Sequence, residues 1–217
     1  VRAYIGANAD VTAAGDIKVE ATNIGDVRAR MTQGFNISGV TITASRVPTY
    51  SYYRTSAQIG ADAVVTSTGG SITVYAHDFA KADALVDGTS IGILASADAK
   101  YAENYVSQVT SVTISERASL WAHANIDLKA WSDAELRAIT NATSGGIFEG
   151  GTLKAFNTLV RDVDVELKAG AKLFSDFGSI SIQSLAGDND TIWTSASGSS
   201  GGLITIGTAY LLVTYTN

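Results

Sequence analysis

Cysteine is absent from this chain of 217 residues, and proline and histidine are scarce, with one and two copies. Without cysteine, disulfides and thiolate metal sites are excluded. An extracellular location stays open, because exported proteins do not require disulfides. No apolar run reaches the roughly 18 residues of a membrane-spanning helix, and no signal peptide is visible. Because the chain begins with Val1 instead of Met, we expect a fragment or a processed product.

Charged residues are also sparse, at 17% of the chain, and they sum to a net charge of −6. This negative charge argues against nucleic acid or an anionic membrane as a partner. Hydrophobic residues make up 46%, and the chain has 21 glycines together with many alanine and β-branched residues. This composition, with few patterns of helix length, predicts an all-β protein that is large enough to bury a sizeable core.

The opening stretch "AYIGANADVTAAGDIKVEA", residues 3–21, has the periodicity of two β-strands separated by a turn. Its apolar residues occupy every second position, and small or polar residues lie between them. Alternation of this kind indicates strands that bury one face.

The same pattern recurs at residues 57–76, 112–130 and 165–184. In alignment, Ile17, Ile72, Ile126 and Ile180 coincide, as do Val19, Val74, Leu128 and Ile182. We therefore predict one segment, 1–217, built from four repeats of about 54 residues, because stacked repeats share a continuous core and place equivalent residues in columns. The predicted repeats are approximately 1–54, 55–108, 109–162 and 163–217.

Each repeat also divides internally, because "GDIKVEA" at 15 resembles "GVTITA" at 39. The distance between these two stretches, which begin at residues 15 and 39, is typical of one rung of a parallel β-helix. It therefore predicts about two rungs in each repeat. The alternative architecture, an antiparallel sandwich, also has many short strands but does not predict the long repeat. We expect glycines at the sharp corners, where a positive φ favours them: Gly15, Gly70, Gly145 and Gly201.

With its polar spacer and the following "SGG" and apolar strand, "AYIGANADVTAAGDIKVEAT" resembles the repeats of giant exported bacterial β-helical surface proteins. These include filamentous-haemagglutinin-like adhesins and leukotoxin-like proteins. The resemblance covers all four copies, although the second departs at Gln58 and the third has "ISE" in place of "IGA". It implies a right-handed parallel β-helix, export to the bacterial cell surface, and a role as a shaft. It carries no catalytic motif and no residue-level function.

The two histidines, His77 and His123, have no partner histidine at the spacing of metal ligands. His123 falls in a predicted turn, and His77 follows a predicted strand. We interpret both as solvated corner residues, with a catalytic histidine as the alternative.

The sharpest polar feature is "RDVDVELK", residues 161–168. Alternation points Val163, Val165 and Leu167 inward. Asp162, Asp164, Glu166 and Lys168 then line the outer face. One hypothesis is a carboxylate row for a cation with Lys168 as a base, as in β-helix enzymes that cleave acidic polysaccharides. The simpler interpretation is a solvated outer face.

Two other segments have a functional and a structural interpretation. "GDND", residues 187–190, hints at a calcium loop but lacks the spacing of known calcium motifs, so we interpret it as a polar turn. "YSYY", residues 50–53, could stack on carbohydrate. Because the other repeats also place an aromatic residue nearby, we favour a packing ladder for it.

From these observations we predict a non-enzymatic shaft segment of a large extracellular adhesin or surface filament. We predict no catalytic, cofactor-binding or metal-binding residues. The alternatives are a polysaccharide-active β-helix enzyme and a carbohydrate- or ice-binding module. The expected partners are neighbouring rungs of the same parent chain or end-to-end subunits, and a carbohydrate or host-surface receptor. Nucleic acid and membrane insertion are not expected.

Overall fold

The computed structural model describes residues 1–216, apart from the side chain of Tyr215, so Asn217 of the predicted fourth repeat lies outside the described residues. The described chain is all-β, as predicted. No helix in residues 1–216 is long and apolar enough to cross a membrane. The strands are β1 (Arg2–Ile5), β2 (Asp10–Ala13), β3 (Ile17–Ile59), β4 (Val64–Ser67), β5 (Ile72–Ile114), β6 (Ser119–Ala122), β7 (Ile126–Gly145), β8 (Phe148–Leu167), β9 (Lys172–Ser175), β10 (Ile180–Ala186), β11 (Thr191–Ser200) and β12 (Ile204–Thr216).

Every pairing between these strands is parallel. The larger sheet has eight strands and contains the path β1-β3-β5-β7-β10, with β8, β11 and β12 joined to it. The smaller sheet has four short strands in the order β2-β4-β6-β9. Parallel pairing of strands in chain order, with each pass lying beside the previous one, is consistent with a parallel β-solenoid.

The predicted column of isoleucines forms. Ile17 pairs with Ile72, which pairs with Ile126, and Ile126 pairs with Ile180. Ile72 and Ile126 are fully buried, whereas Ile180 is 44% exposed because β10 has a strand on one side only. The neighbouring column from Val19 to Ile182 shows the same gradient. The apolar alternation of the sequence therefore fixes the register of the sheet.

The expected second rung within each repeat does not form. Gly15–Ala21 and Gly39–Ala44 do not pair with each other, and the latter segment lies on β3, which pairs with β5. Partners in all ladders lie more than 50 residues apart, as for Ala95 with Phe148 and Thr191 with Glu135. Each pass of the chain is therefore one long rung.

The long strands reverse direction without leaving the ladder. In β5 a Cβ on Gly92 would lie only 1.7 Å from the Ala95 carbonyl oxygen, so the chain turns back tightly at this point. Beyond the turn, Lys100 Nζ donates a hydrogen bond to Gly88 O at 2.9 Å. The outgoing and returning halves thus face each other through side chains. The apolar residues of the expected second rung, Val40 and Ile42, lie near the turn of β3 and are exposed.

The interior contains three apolar clusters, which polar residues separate along the rung. The largest lies where the smaller sheet closes the rung and includes Ile72, Leu120 and Ile126. The other two lie between the outgoing and returning halves, around Leu136 and around Val86.

The corner glycines do not have the role that we predicted for them. Among residues 1–216 the positive-φ glycines are Gly170 and Gly187. The other positive-φ residues are Asn8, Asp62 and Arg117, which occupy the same corner as Gly170 in successive passes. Gly70 is needed for close approach instead, because a Cβ there would lie 2.6 Å from the backbone nitrogen of Asp16.

Candidate functional surfaces

A ladder of buried polar side chains connects successive rungs through the interior. Thr49 Oγ1 donates to Asn104 Oδ1 at 2.5 Å, and Asn104 Nδ2 donates to Asn157 Oδ1 at 2.8 Å. Asn157 Nδ2 continues the ladder to Thr194 Oγ1 at 2.9 Å. Since each amide both accepts and donates, the stack satisfies its own hydrogen bonds and strengthens the rung-to-rung contact.

The edges of the stack expose strands that have no partner on one side. Among the described residues, β10 and β11 pair only with β7, and β12 pairs only with β8. Ile182, on the inner column, is 46% exposed at this edge. This edge therefore exposes unpaired N–H and C=O groups beside apolar side chains.

The segment "GDND" at 187–190 has an internal structural role. Asp190 Oδ2 accepts a hydrogen bond from Arg161 Nη1 at 2.8 Å, and its Oδ1 accepts one from the Ala134 backbone at 2.7 Å. Asn189 donates from its backbone to Asp133 Oδ1 at 3.1 Å. The segment is a polar turn, and its Asp190 carboxylate serves a largely buried ion pair.

Sequence reasoning missed the role of Arg161. Its guanidinium is fully buried, and it also donates to Gln108 Oε1 at 3.0 Å. The alternation of the strand could have predicted this role, because Arg161 lies on the same face of β8 as the inward-facing Val163 and Val165.

The outer side of "RDVDVELK" is solvated. Asp162, Asp164 and Glu166 are partly or fully exposed, and Lys168 Nζ lies 3.8 Å from Glu166 Oε2. Of the residues predicted to point inward, Val163 and Val165 pack against the main core. Leu167 pairs with the buried Ile114 and so lies on the inner column, but it is 43% exposed because β12 does not extend beside it. The row offers carboxylates to solvent without enclosing a substrate.

The two histidines occupy different environments. His123 lies at the corner, partly exposed, with its ring edge against Phe177 at 4.8 Å between centroids. His77 lies inside β5 and is mostly buried, which differs from the predicted solvated corner. Its ring stacks on Trp131 at 4.7 Å, and Nε2 lies 3.7 Å from Asp133 Oδ2.

The aromatic segment at 50–53 lies on the outer face of the returning half of the rung. Tyr50 and Tyr52 are well exposed, and both rings contact Tyr105, at 6.3 and 5.7 Å between centroids. On the same half of the rung, Lys154 Nζ lies 5.2 Å from the ring centroids of Tyr101 and Tyr210. The rings pack against one another across rungs, as expected of a ladder, and still expose faces to solvent.

Comparison with known proteins identifies no relative, since no family model, curated protein or solved structure matches the chain. The resemblance to adhesin repeats therefore depends on the sequence motifs alone. Function has to be inferred from the stacked ladders, the open edges and the outer faces.

Proposed function

We propose that the chain is a non-enzymatic shaft segment of a large extracellular bacterial adhesin or surface filament. In this proposal it folds as a right-handed parallel β-helix of four repeats, each forming one long rung. The observation that carries the proposal is the parallel register, which stays nearly constant from β3 to β12. Repetition of one register produces length and stiffness, because every rung contacts only its neighbours.

The interior supports a mechanical role. Apolar columns such as that of Ile72 alternate with the hydrogen-bonded ladder of Asn104 and Asn157, so successive rungs are joined by both packing and polar contacts. The two kinds of contact hold neighbouring rungs together in different ways. Apolar burial is non-directional, whereas the amide ladder also fixes the register between rungs.

The unpaired edge strands support the proposal that other rungs or subunits stack on this chain. The backbone of β10 and the half-exposed Ile180 and Ile182 match what a further rung would cover. We propose that further rungs of the parent chain, or a second subunit placed end to end, occupy this surface.

Light scattering of the isolated chain tests the proposal. We expect concentration-dependent association, reduced by Ile182→Lys, because a charge at the open edge opposes stacking. Gln183→Lys is the matched control, since Gln183 is exposed on the outer face of the same strand. A stable monomer at high concentration would contradict the shaft and favour a self-contained domain. Equal association of the two variants would rule out stacking at this edge.

The exposed tyrosines favour a second candidate function, the binding of carbohydrate. Tyr50 and Tyr52 present ring faces on which a sugar can stack. Binding to a panel of polysaccharides should be weakened by Tyr52→Ala and unaffected by Tyr4→Ala, an exposed tyrosine on β1. Turnover of pectin or alginate that is lost with Lys168→Ala would instead support an enzyme.

A further inference from the structure

Strands β7, β8, β11 and β12 line an open cavity of about 230 Å³ at the edge of the stack. Small residues create this space, because their side chains stop short of the middle of the rung. At its rim Ser199 and Ser200 are exposed, so the cavity is open to solvent along β11. Residues that line it include Ala142, Glu149, Gly151, Leu153, Gly198 and Gly207.

Two carboxylates line this cavity, and Glu149 is the one that has no cation among the described residues. The residue is 5% exposed, and no ion pair within residues 1–216 involves it. Within the part of the chain that the structure describes, its carboxylate accepts two long hydrogen bonds, from Gly201 N at 3.4 Å and Thr205 Oγ1 at 3.5 Å. A buried carboxylate normally requires a cation or several strong donors.

A second buried polar group lies beside Glu149. Ser96 is its register partner in the adjacent rung and is 3% exposed, and its hydroxyl has no hydrogen-bond partner among residues 1–216. Since paired residues in parallel strands point to the same face, this hydroxyl lies on the inner side next to the carboxylate. Since buried polar groups are normally hydrogen-bonded, this hydroxyl is available to a polar ligand or to water in the cavity.

The adjacent rung shows what fits at this level of the interior. There Lys100, the register partner of Leu153, is buried and extends its ammonium group to Asp98 and to Gly88 O. Gly88 in turn pairs with Ala142, which lines the cavity. In one rung the ammonium group of Lys100 therefore neutralises a buried carboxylate. In the next rung the buried carboxylate of Glu149 lies beside an open space and has no cation among the described residues.

We propose that this cavity binds a small aliphatic primary ammonium ion, with its charged group on Glu149 and its alkyl chain against Leu153. The apolar part of the lining, which includes Leu153 and its register partner Ala209, suits an alkyl chain. A metal ion fits less well, because the cavity is far larger than one ion and Asp98, its other carboxylate, is already paired with Lys100.

Calorimetry and thermal unfolding with n-butylammonium chloride test the site. We expect saturable binding and a rise in Tm, and no effect of n-butanol or of sodium chloride at equal concentration. Glu149→Gln should weaken binding by about tenfold or more, because the charge-assisted contact is lost. Glu166→Gln, which neutralises an exposed carboxylate, is the control and should bind as the unaltered chain does.

A second variant tests the analogy with Lys100. Leu153→Lys should place a tethered ammonium ion in the cavity, abolish n-butylammonium binding and raise Tm, whereas Leu153→Met should keep binding. The proposal is overturned if Glu149→Gln binds n-butylammonium as tightly as the unaltered chain. It is also overturned if n-butanol binds equally well, or if calcium chloride binds saturably and n-butylammonium does not.

Discussion

Lys100 Nζ lies 2.5 Å from Asp98 Oδ2, and both side chains are buried in the interior of the rung. Asp98 also accepts hydrogen bonds from Thr43 Oγ1 at 2.5 Å and Ser90 Oγ at 3.3 Å. The pair therefore connects the outgoing and returning halves of one rung and contacts the rung before it. An ion pair removed from water in this way is stable only while both partners are present.

Lys100→Met should lower the free energy of unfolding by about 3–5 kcal/mol, because it leaves Asp98 buried without a cation. The control is Lys18→Met, which breaks the exposed pair with Glu20 and should cost less than about 1 kcal/mol. Urea unfolding measures both. Adding Asp98→Leu to Lys100→Met should recover much of the loss, and a cost for Lys100→Met no larger than that of Lys18→Met would contradict the assigned role.

Ile126→Ala should destabilise the protein by about 2–5 kcal/mol, because it leaves a cavity in the middle of the main core. Ile180→Ala, in the same column, should cost less, since Ile180 is already half-exposed at the edge. The comparison is made by denaturant unfolding under identical conditions. Equal costs at the two positions would show that the last rung is as well covered in solution as the central ones.

Burial raises the pKa of the Asp78 carboxyl above its ordinary value of 3.8, although hydrogen bonds from Asn23 and Thr55 partly oppose the shift. The folded state therefore binds the proton more tightly than the unfolded state. The stabilisation from Asp78 is fully present below the unfolded pKa and is lost as the pH rises through the folded pKa.

Asp78→Asn should remove this contribution, so the slope of the free energy of unfolding against pH should become more positive on the acidic side of neutrality. Chemical denaturation at a series of pH values measures the slope. Asp164→Asn, an exposed carboxylate on the outer face, should leave the slope unchanged. An identical slope for Asp78→Asn and the unaltered chain would show that Asp78 does not titrate differently on folding.

Gly70→Ala should destabilise the protein by about 1–3 kcal/mol, because the added Cβ would meet the backbone of Asp16 and Gly15. Gly15→Ala provides a matched comparison, since a Cβ at Gly15 has no atom within 4 Å. Thermal unfolding of both variants measures the difference. Similar Tm values would mean that the rungs separate enough at this corner to admit a side chain.

The sequence by itself determined the strand content and the register. Alternating apolar residues specify a strand with one buried face, and their recurrence specifies which residues share a column, as for Ile72 and Ile126. The two-residue alternation of side chains is therefore enough to predict the all-β class and the residues of the main core without the tertiary structure.

Only the tertiary structure decided how each rung is closed. Alternation says which side of a strand is buried but not which segment lies across from it, so it did not distinguish two short rungs from one long rung that reverses at Gly92. The partners of Arg161 and Lys100 could not be predicted for the same reason. Alternation places both side chains on the inner face, but only the stacking of rungs brings Asp190 next to Arg161, and only the reversal of the chain brings Gly88 next to Lys100.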